Sequence, residues 1–164
     1  MVIMQILVVD DDIAFCRILN HMIASEQYKI QTCHSVADAL EAIEQTSFDI
    51  YVMDFKLPDG GGIDFAERIR AQGSAAPIIL ISGYDPSALA SRTQQLHISD
   101  VLQKPFSREA ICDAVKKAVA SLPANSSSVV SESEESQADR PYSCARFMSS
   151  ILLLRSGKGY GPRW

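Results

Sequence analysis

The stretch that decides the fold is Met4-Gln5-Ile6-Leu7-Val8-Val9, which is followed at once by Asp10-Asp11-Asp12. The apolar run predicts a buried strand. A strand that ends in three carboxylates concentrates negative charge at one edge of a sheet. Two unit charges about 4 Å apart repel by roughly 4 kcal/mol at an effective dielectric constant near 20. The cluster therefore indicates a cation site, and its oxygen ligands favour Mg²⁺ or Ca²⁺.

Three further apolar runs end in polar residues in the same way. They are Phe48 to Met53 before Asp54, Pro77 to Ile81 before Ser82-Gly83, and Asp100 to Gln103 before Lys104-Pro105. In an open parallel α/β sheet, ligands bind at the carboxyl ends of the strands. We therefore expect the four polar ends to converge on one site.

Helical patterns separate these runs. Helices are predicted over residues 13–25, 35–45, 63–72, 86–96 and 107–121, a short strand over residues 28–33, and a loop over residues 57–62. Continuous apolar strands with intervening helices imply a parallel sheet that is covered on both faces. The predicted fold class is α/β: a flavodoxin-like, doubly wound (βα)5 domain whose five-stranded parallel sheet has the order 2-1-3-4-5.

Composition divides the chain of 164 residues into three parts. Residues 1–122 hold every periodic segment and are expected to form one domain. Residues 123–139 are rich in Ser and Glu and are expected to be a disordered linker, and residues 140–164 a short, disordered basic tail. Residues 1–139 carry ten basic and twenty acidic side chains, whereas residues 140–164 carry five basic ones and no acid. Because the body is so acidic, no direct DNA binding is expected.

The cysteines and the N-terminus indicate a cytoplasmic protein. Cys16, Cys33, Cys112 and Cys144 show no Cys-x-x-Cys spacing and no histidine at zinc-ligand spacing, which favours small buried side chains in a reducing compartment. The N-terminus lacks the basic region of a signal peptide. No apolar stretch approaches about 18 residues, so no membrane span is predicted.

The polar strand ends together resemble a known family. The chain carries, in order, Asp11-Asp12, Asp54, Leu57-Pro58, Gly62, Ser82-Gly83 and Lys104-Pro105-Phe106. Each motif is weak alone, but all of them in register are specific. Over about residues 4–122 the sequence resembles the receiver domain of two-component response regulators.

The resemblance implies a role for each polar strand end. Asp54 would be the phosphoacceptor, forming an aspartyl phosphate. Asp11, Asp12, Asp54 and the backbone carbonyl of Lys56 would hold Mg²⁺. Lys104, with a cis peptide bond to Pro105, and the Ser82 hydroxyl would contact the phosphoryl oxygens. Asp10 is expected to cap a helix or to accept a hydrogen bond from the backbone.

One position departs from the family pattern. The family usually carries Tyr or Phe three residues before the lysine, and that ring swings inward on phosphorylation; here the residue is Val101. His97 similarly stands where many receivers have glycine, and we interpret it as structural or solvated. The departure at Val101 keeps open an unswitched, receiver-like adaptor. A magnesium phosphatase with an aspartate nucleophile is a further alternative, although Asp54 on the third strand favours the receiver.

The expected partners follow from the same resemblance. The phosphoryl donor would be a histidine kinase or a phosphotransfer protein, and the output would be phosphorylation-dependent contact with an unidentified protein. No classical enzyme activity is expected. Residues 147–154 (FMSSILLL) lie in a basic context, so the tail is either disordered, which we favour, or a short amphipathic helix that contacts a partner or an anionic membrane.

Overall fold

The computed structural model describes residues 3–123, and strands alternate with helices throughout this part of the chain. The strands of the main sheet are β1 (Met4–Val9), β2 (Tyr28–Cys33), β3 (Ile50–Asp54), β4 (Ile78–Ser82) and β5 (Asp100–Gln103). The helices are α1 (Ile13–Ile23), α2 (Val36–Gln45), α3 (Gly62–Ala71), α4 (Pro86–Gln95) and α5 (Arg108–Ser121). Apart from Pro123, the predicted linker and tail lie outside the described residues and stay predictions.

The sheet is parallel and has the strand order β2-β1-β3-β4-β5. The predicted flavodoxin-like fold and its strand order are therefore confirmed. β1 and β3 lie side by side at the centre, with Val9 opposite Met53. This pairing brings the residues that follow β1 next to Asp54 at the end of β3.

Two apolar cores explain why the central strands β1, β3 and β4 are almost continuously hydrophobic. Successive side chains of β1 alternate between the faces of the sheet. Leu7 and Val9 pack in a core with residues of α2 and α3, whereas Ile6 and Val8 pack in a core with residues of α1 and α5. All four are at most 1% exposed. Helices on both faces thus bury the central strands β1, β3 and β4, whose carboxyl ends lead directly into polar residues.

Polar caps fix the start of most helices at the carboxyl edge of the sheet. α1, α2, α4 and α5 each follow a side chain that accepts a main-chain N–H of the first turn. These caps are Asp12, Ser35, Asp85 and Ser107. The caps thus fix the first residue of these four helices close to the strand ends that form the candidate site.

The predicted loop over residues 57–62 is more ordered than its composition indicates. Lys56–Leu57 pairs with Gly60–Gly61 in a small antiparallel hairpin, and α3 begins at Gly62. Asp59, at the turn of this hairpin, accepts N–H groups of Val36 and Ala37 at 2.9 Å each. The segment after Asp54 is thereby tied to the first turn of α2.

His97 ends α4 in the left-handed backbone conformation, with φ of 50°. Its N–H donates to the Gln94 carbonyl at 3.2 Å, and the N–H of Ile98 donates to the Thr93 carbonyl at 2.9 Å. This pair of bonds is a Schellman motif, whose left-handed position glycine favours. The geometry agrees with the structural interpretation of His97. Within the described residues, none of the helices has the length and apolar character needed to cross a membrane.

Candidate functional site

Three strand ends meet around the Lys104 ammonium. Its Nζ atom lies 3.1 Å from Oδ2 of Asp10, at the end of β1, and 3.3 Å from Oδ1 of Asp54, at the end of β3. Lys104 itself follows β5, and its peptide bond to Pro105 is cis, as the resemblance implied. The predicted convergence of these polar ends is therefore seen directly in the two ion pairs.

Three carboxylates, two of them paired with this lysine, form a group at the strand ends. Asp10, Asp11 and Asp54 each offer an oxygen, and these atoms all lie within 4.8 Å of one another. Asp10 is 2% exposed, Asp54 is half-buried and Asp11 is exposed. Hard oxygen donors at this spacing, open to solvent on one side, suit a Mg²⁺ ion that keeps several waters. The residues present therefore fit the predicted metal.

The membership of this group differs from the predicted ligand set at one aspartate. The Asp12 carboxylate, expected to bind metal, accepts the Phe15 N–H at 2.9 Å as the cap of α1, and Asp12 lies outside the group. Asp10 takes its place. Its Oδ1 accepts the Asp12 N–H at 2.9 Å, which confirms the expected backbone hydrogen bond, while Oδ2 accepts from Lys104. Of the three successive aspartates, the one directly before α1 caps the helix.

Burial and charge act against each other at the two central side chains. Burial raises the pKa of Asp54, the Lys104 ammonium lowers it, the Asp10 carboxylate raises it again, and the net change is upward. Burial alone would lower the pKa of Lys104. The hydrogen bond to Asp10 and the charge of Asp54 outweigh burial and raise the pKa of Lys104 above its usual value. The lysine therefore stays charged at neutral pH.

Ser82 is fully buried at the end of β4. Its Oγ accepts the Tyr84 N–H at 2.9 Å, and its carbonyl accepts the Lys104 N–H at 2.7 Å. The main chains of two predicted site residues are thus joined. The predicted contact of the Ser82 hydroxyl with a phosphoryl group stays a prediction, as does the role of the Lys56 carbonyl.

Sequence reasoning missed two aromatic contacts at the edges of the site. The Phe15 ring lies under the Lys104 ammonium, 4.5 Å from ring centroid to Nζ. Phe55 and Tyr84 form an edge-to-face pair with centroids 5.6 Å apart, next to Asp54 and Ser82 in the chain. Phe55, the aromatic residue immediately after Asp54, was the only signal in the sequence for the pair of Phe55 with Tyr84.

Val101, which stands where the family usually carries an aromatic residue, is partly buried against the core on the α2 and α3 side of the sheet.

Comparison with known proteins places this arrangement in a family. The family model for the response regulator receiver domain matches residues 6–116. Transcriptional regulatory protein FixJ of Bradyrhizobium diazoefficiens is 30% identical over 115 residues, which are 70% of this chain and 56% of FixJ. Transcriptional regulatory protein ZraR of Salmonella typhimurium is 28% identical over 116 residues, 71% of this chain and 26% of ZraR. The chain thus spans about half the length of one relative and about a quarter of the other.

Solved structures agree on the fold. The chemotaxis response regulator CheY4 of Vibrio cholerae superposes with a TM-score of 0.65 at 21% identity, covering 71% of this chain and 98% of CheY4. At that identity the likeness concerns the fold alone. The family match over residues 6–116, the sheet order and the carboxylate–lysine cluster agree with one another: the chain belongs to the response regulator receiver domain family.

Proposed function

We propose that Asp54 accepts a phosphoryl group and that the chain passes on the signal through phosphorylation-dependent contact with another protein. The observation that carries the proposal is the ion pair between Lys104 Nζ and Asp54 Oδ1, at 3.3 Å, beside the group of three carboxylates. A nucleophilic carboxylate, a fixed cation and hard oxygen donors are the parts that phosphoryl transfer to an aspartate needs.

In the proposed reaction, an Asp54 carboxylate oxygen forms a bond to phosphorus. The bond between phosphorus and the donor's imidazole nitrogen breaks, and its electron pair leaves with the imidazole. Lys104 lies beside the attacking carboxylate and would balance the charge of the phosphoryl oxygens. Asp10, Asp11 and Asp54 would hold Mg²⁺, which neutralises phosphoryl charge when bound. Little other covalent chemistry is required of the protein.

The donor is expected to be a histidine kinase or a phosphotransfer protein. Two relatives that match this chain are named transcriptional regulatory proteins, but the match covers only part of each. We propose a protein rather than DNA as the direct target of the receiver, because residues 1–139 carry twice as many acidic as basic side chains. Family membership also favours this receiver role over the magnesium phosphatase.

Transfer can be tested with a small donor. Incubation with acetyl phosphate and Mg²⁺ should add one phosphoryl group by intact mass, and EDTA should suppress the addition. Asp54→Asn should take up none. Asp113→Asn, an exposed aspartate on α5 paired with Lys116, is the matched control and should label like the wild type. Undiminished labelling of Asp54→Asn would refute the assignment.

The route of the signal distinguishes a switched receiver from the unswitched adaptor. Val101 has no ring to reorient, so we propose that the change travels from Ser82 through Tyr84, whose N–H is bonded to the Ser82 hydroxyl oxygen. With beryllofluoride as phosphoryl mimic, amide exchange should change most between residues 82 and 106. Ser82→Ala should lose that change and keep some labelling at Asp54. A response confined to the carboxylate group in the wild type would favour the adaptor.

A further inference from the structure

Phe15 lies beside the candidate site, and the function proposed above does not use it. The residue is in the first turn of α1, where its N–H is bonded to the capping carboxylate of Asp12 at 2.9 Å. Its ring lies beneath the Lys104 ammonium with 4.5 Å between Nζ and the ring centroid. This separation is within the range of an attractive cation–π contact.

The ring is supported from the side by a second aromatic residue. Phe106 meets Phe15 edge-to-face, with centroids 6.0 Å apart and an interplanar angle of 79°. Both rings line an open, mainly apolar cavity of about 340 Å³, together with Met22, Lys104 and Pro105. The Asp12 cap contacts the backbone of Phe15, and Phe106 contacts its ring.

The ammonium therefore has three neighbours, which are two carboxylates and one aromatic ring. Asp10 accepts a hydrogen bond at 3.1 Å, Asp54 forms an ion pair at 3.3 Å, and the Phe15 ring lies at 4.5 Å. When the Asp54 oxygen becomes bonded to phosphorus, Asp54 is no longer a free carboxylate, and the ammonium loses this ion-pair partner. The Asp10 carboxylate remains and competes with the phosphoryl oxygens for the same cation. The ring attracts the cation without offering it a charged partner.

We propose that Phe15 is a positioning residue for phosphoryl transfer, whose ring face holds the Lys104 ammonium beside Asp54. The inference rests on the proposed function, because it concerns the rate at which Asp54 is phosphorylated. It concerns a contact within this chain and assigns no role to the donor. If the negative electrostatic potential of the ring face is reduced while the ring keeps nearly the same size, the ring should attract the ammonium less strongly.

The test replaces Phe15 in the full chain by mono-, di- and trifluorophenylalanine, which withdraws electron density stepwise from the ring face. The rate of labelling by acetyl phosphate and Mg²⁺ should fall with each fluorine, by roughly two- to fivefold across the series. Phe15→Tyr, which keeps an aromatic face, should stay near the wild-type rate, whereas Phe15→Leu should fall at least as far as the trifluoro variant. The same substitutions at Phe65 are the control, because that ring meets Tyr51 edge-to-face and lies in the other core.

A spectroscopic signal separates positioning from a loss of fold. In the wild type, the ring should shift the NMR signal of the Lys104 ε-methylene protons upfield, and Phe15→Leu should abolish the shift while the dispersed spectrum of the fold is kept. A rate that stays flat along the fluorine series, or that falls equally with fluorinated Phe65 or Phe106, overturns the proposal. If the wild type takes up no phosphoryl group at all, the proposed function has failed, and the ε-methylene shift still reports on the contact.

Discussion

Replacement of Asp54 by Asn should stabilise the fold when no divalent cation is bound. The substitution removes one of three clustered carboxylates and keeps the size of the side chain. Most substitutions destabilise a protein, by about 1 kcal/mol on average. A gain in stability on replacing a site residue would therefore be a specific sign that the ionised Asp54 carboxylate is unfavourable in the folded state.

The distances set the size of the effect. At an effective dielectric constant near 20, two carboxylates at the 4.8 Å limit of the group repel by about 3.5 kcal/mol, and the 3.3 Å pair of Asp54 with Lys104 attracts by about 5 kcal/mol. The exposed Asp11 adds a repulsion that solvent reduces. Charge terms therefore nearly cancel, and the burial of the ionised Asp54 carboxylate decides the sign. We expect Asp54→Asn to gain about 1 kcal/mol, or about 4 °C in Tm.

The pH dependence follows from the raised pKa of Asp54, for which burial is the largest cause. The folded state holds the Asp54 proton more tightly than the unfolded state, whose pKa is near the ordinary 3.8. Wild-type stability therefore falls as the pH rises from 3.8 through the higher pKa of the folded state, and the loss is complete above that pKa. The advantage of Asp54→Asn should be largest near pH 7 and shrink as the pH approaches 3.8.

Thermal unfolding in EDTA measures the effect, with Asp113→Asn as an exposed control expected to lie within about 0.5 kcal/mol of the wild type. Addition of Mg²⁺ should reverse the order, because the wild type gains stability from the bound ion and the variant lacks one ligand. A Tm of Asp54→Asn below that of the wild type in EDTA would refute the reasoning.

Three further substitutions test separate parts of the account. Gly62→Ala should lower the free energy of unfolding in denaturant by roughly 2 kcal/mol or more, because its Cβ would collide with the Asp54 carbonyl. Gly83→Ala, with open space around it, should stay within about 0.5 kcal/mol of the wild type, and equal losses in the two variants would contradict the close approach at Gly62. His97→Gly should raise stability by about 1 kcal/mol, since His97 has a positive φ, and a loss would argue against the left-handed conformation. Asp12→Ala should lower the free energy of unfolding by about 1 kcal/mol, because the cap of α1 is lost. In calorimetry its Mg²⁺ affinity should stay nearer to the wild type than that of Asp11→Ala, and the reverse ranking would favour Asp12 as a ligand.

The fold could be predicted from the sequence because four of the five strands are apolar runs that end in polar residues, which indicates both their burial and their ends. β1 and β5 have the predicted bounds, Met4–Val9 and Asp100–Gln103. The ends of the helices moved by one or two residues, as at α1, which stops at Ile23. The hairpin at Lys56–Leu57 was missed because a two-residue ladder leaves no periodic pattern.

The site was predicted in outline, but the carboxylates that lie together in the structure differ from the predicted ligands at one aspartate. A pattern of three successive aspartates does not say which of them the helix will use as its cap. That choice depends on where α1 starts, and the start at Ile13 gives the cap to Asp12. The Phe15 ring could not be predicted either, because its contact with Lys104 joins α1 to the segment after β5.

The central claim is that Asp54 carries the phosphoryl group, and the most direct measurement locates the modified residue chemically. The chain is phosphorylated with acetyl phosphate and Mg²⁺, and borohydride then reduces the aspartyl phosphate to homoserine, which peptide mass spectrometry places in the sequence. We predict homoserine at position 54 alone, with none after treatment in EDTA. Homoserine at Asp10 or Asp11, or unmodified Asp54 in a chain that has gained phosphoryl mass, would contradict the account.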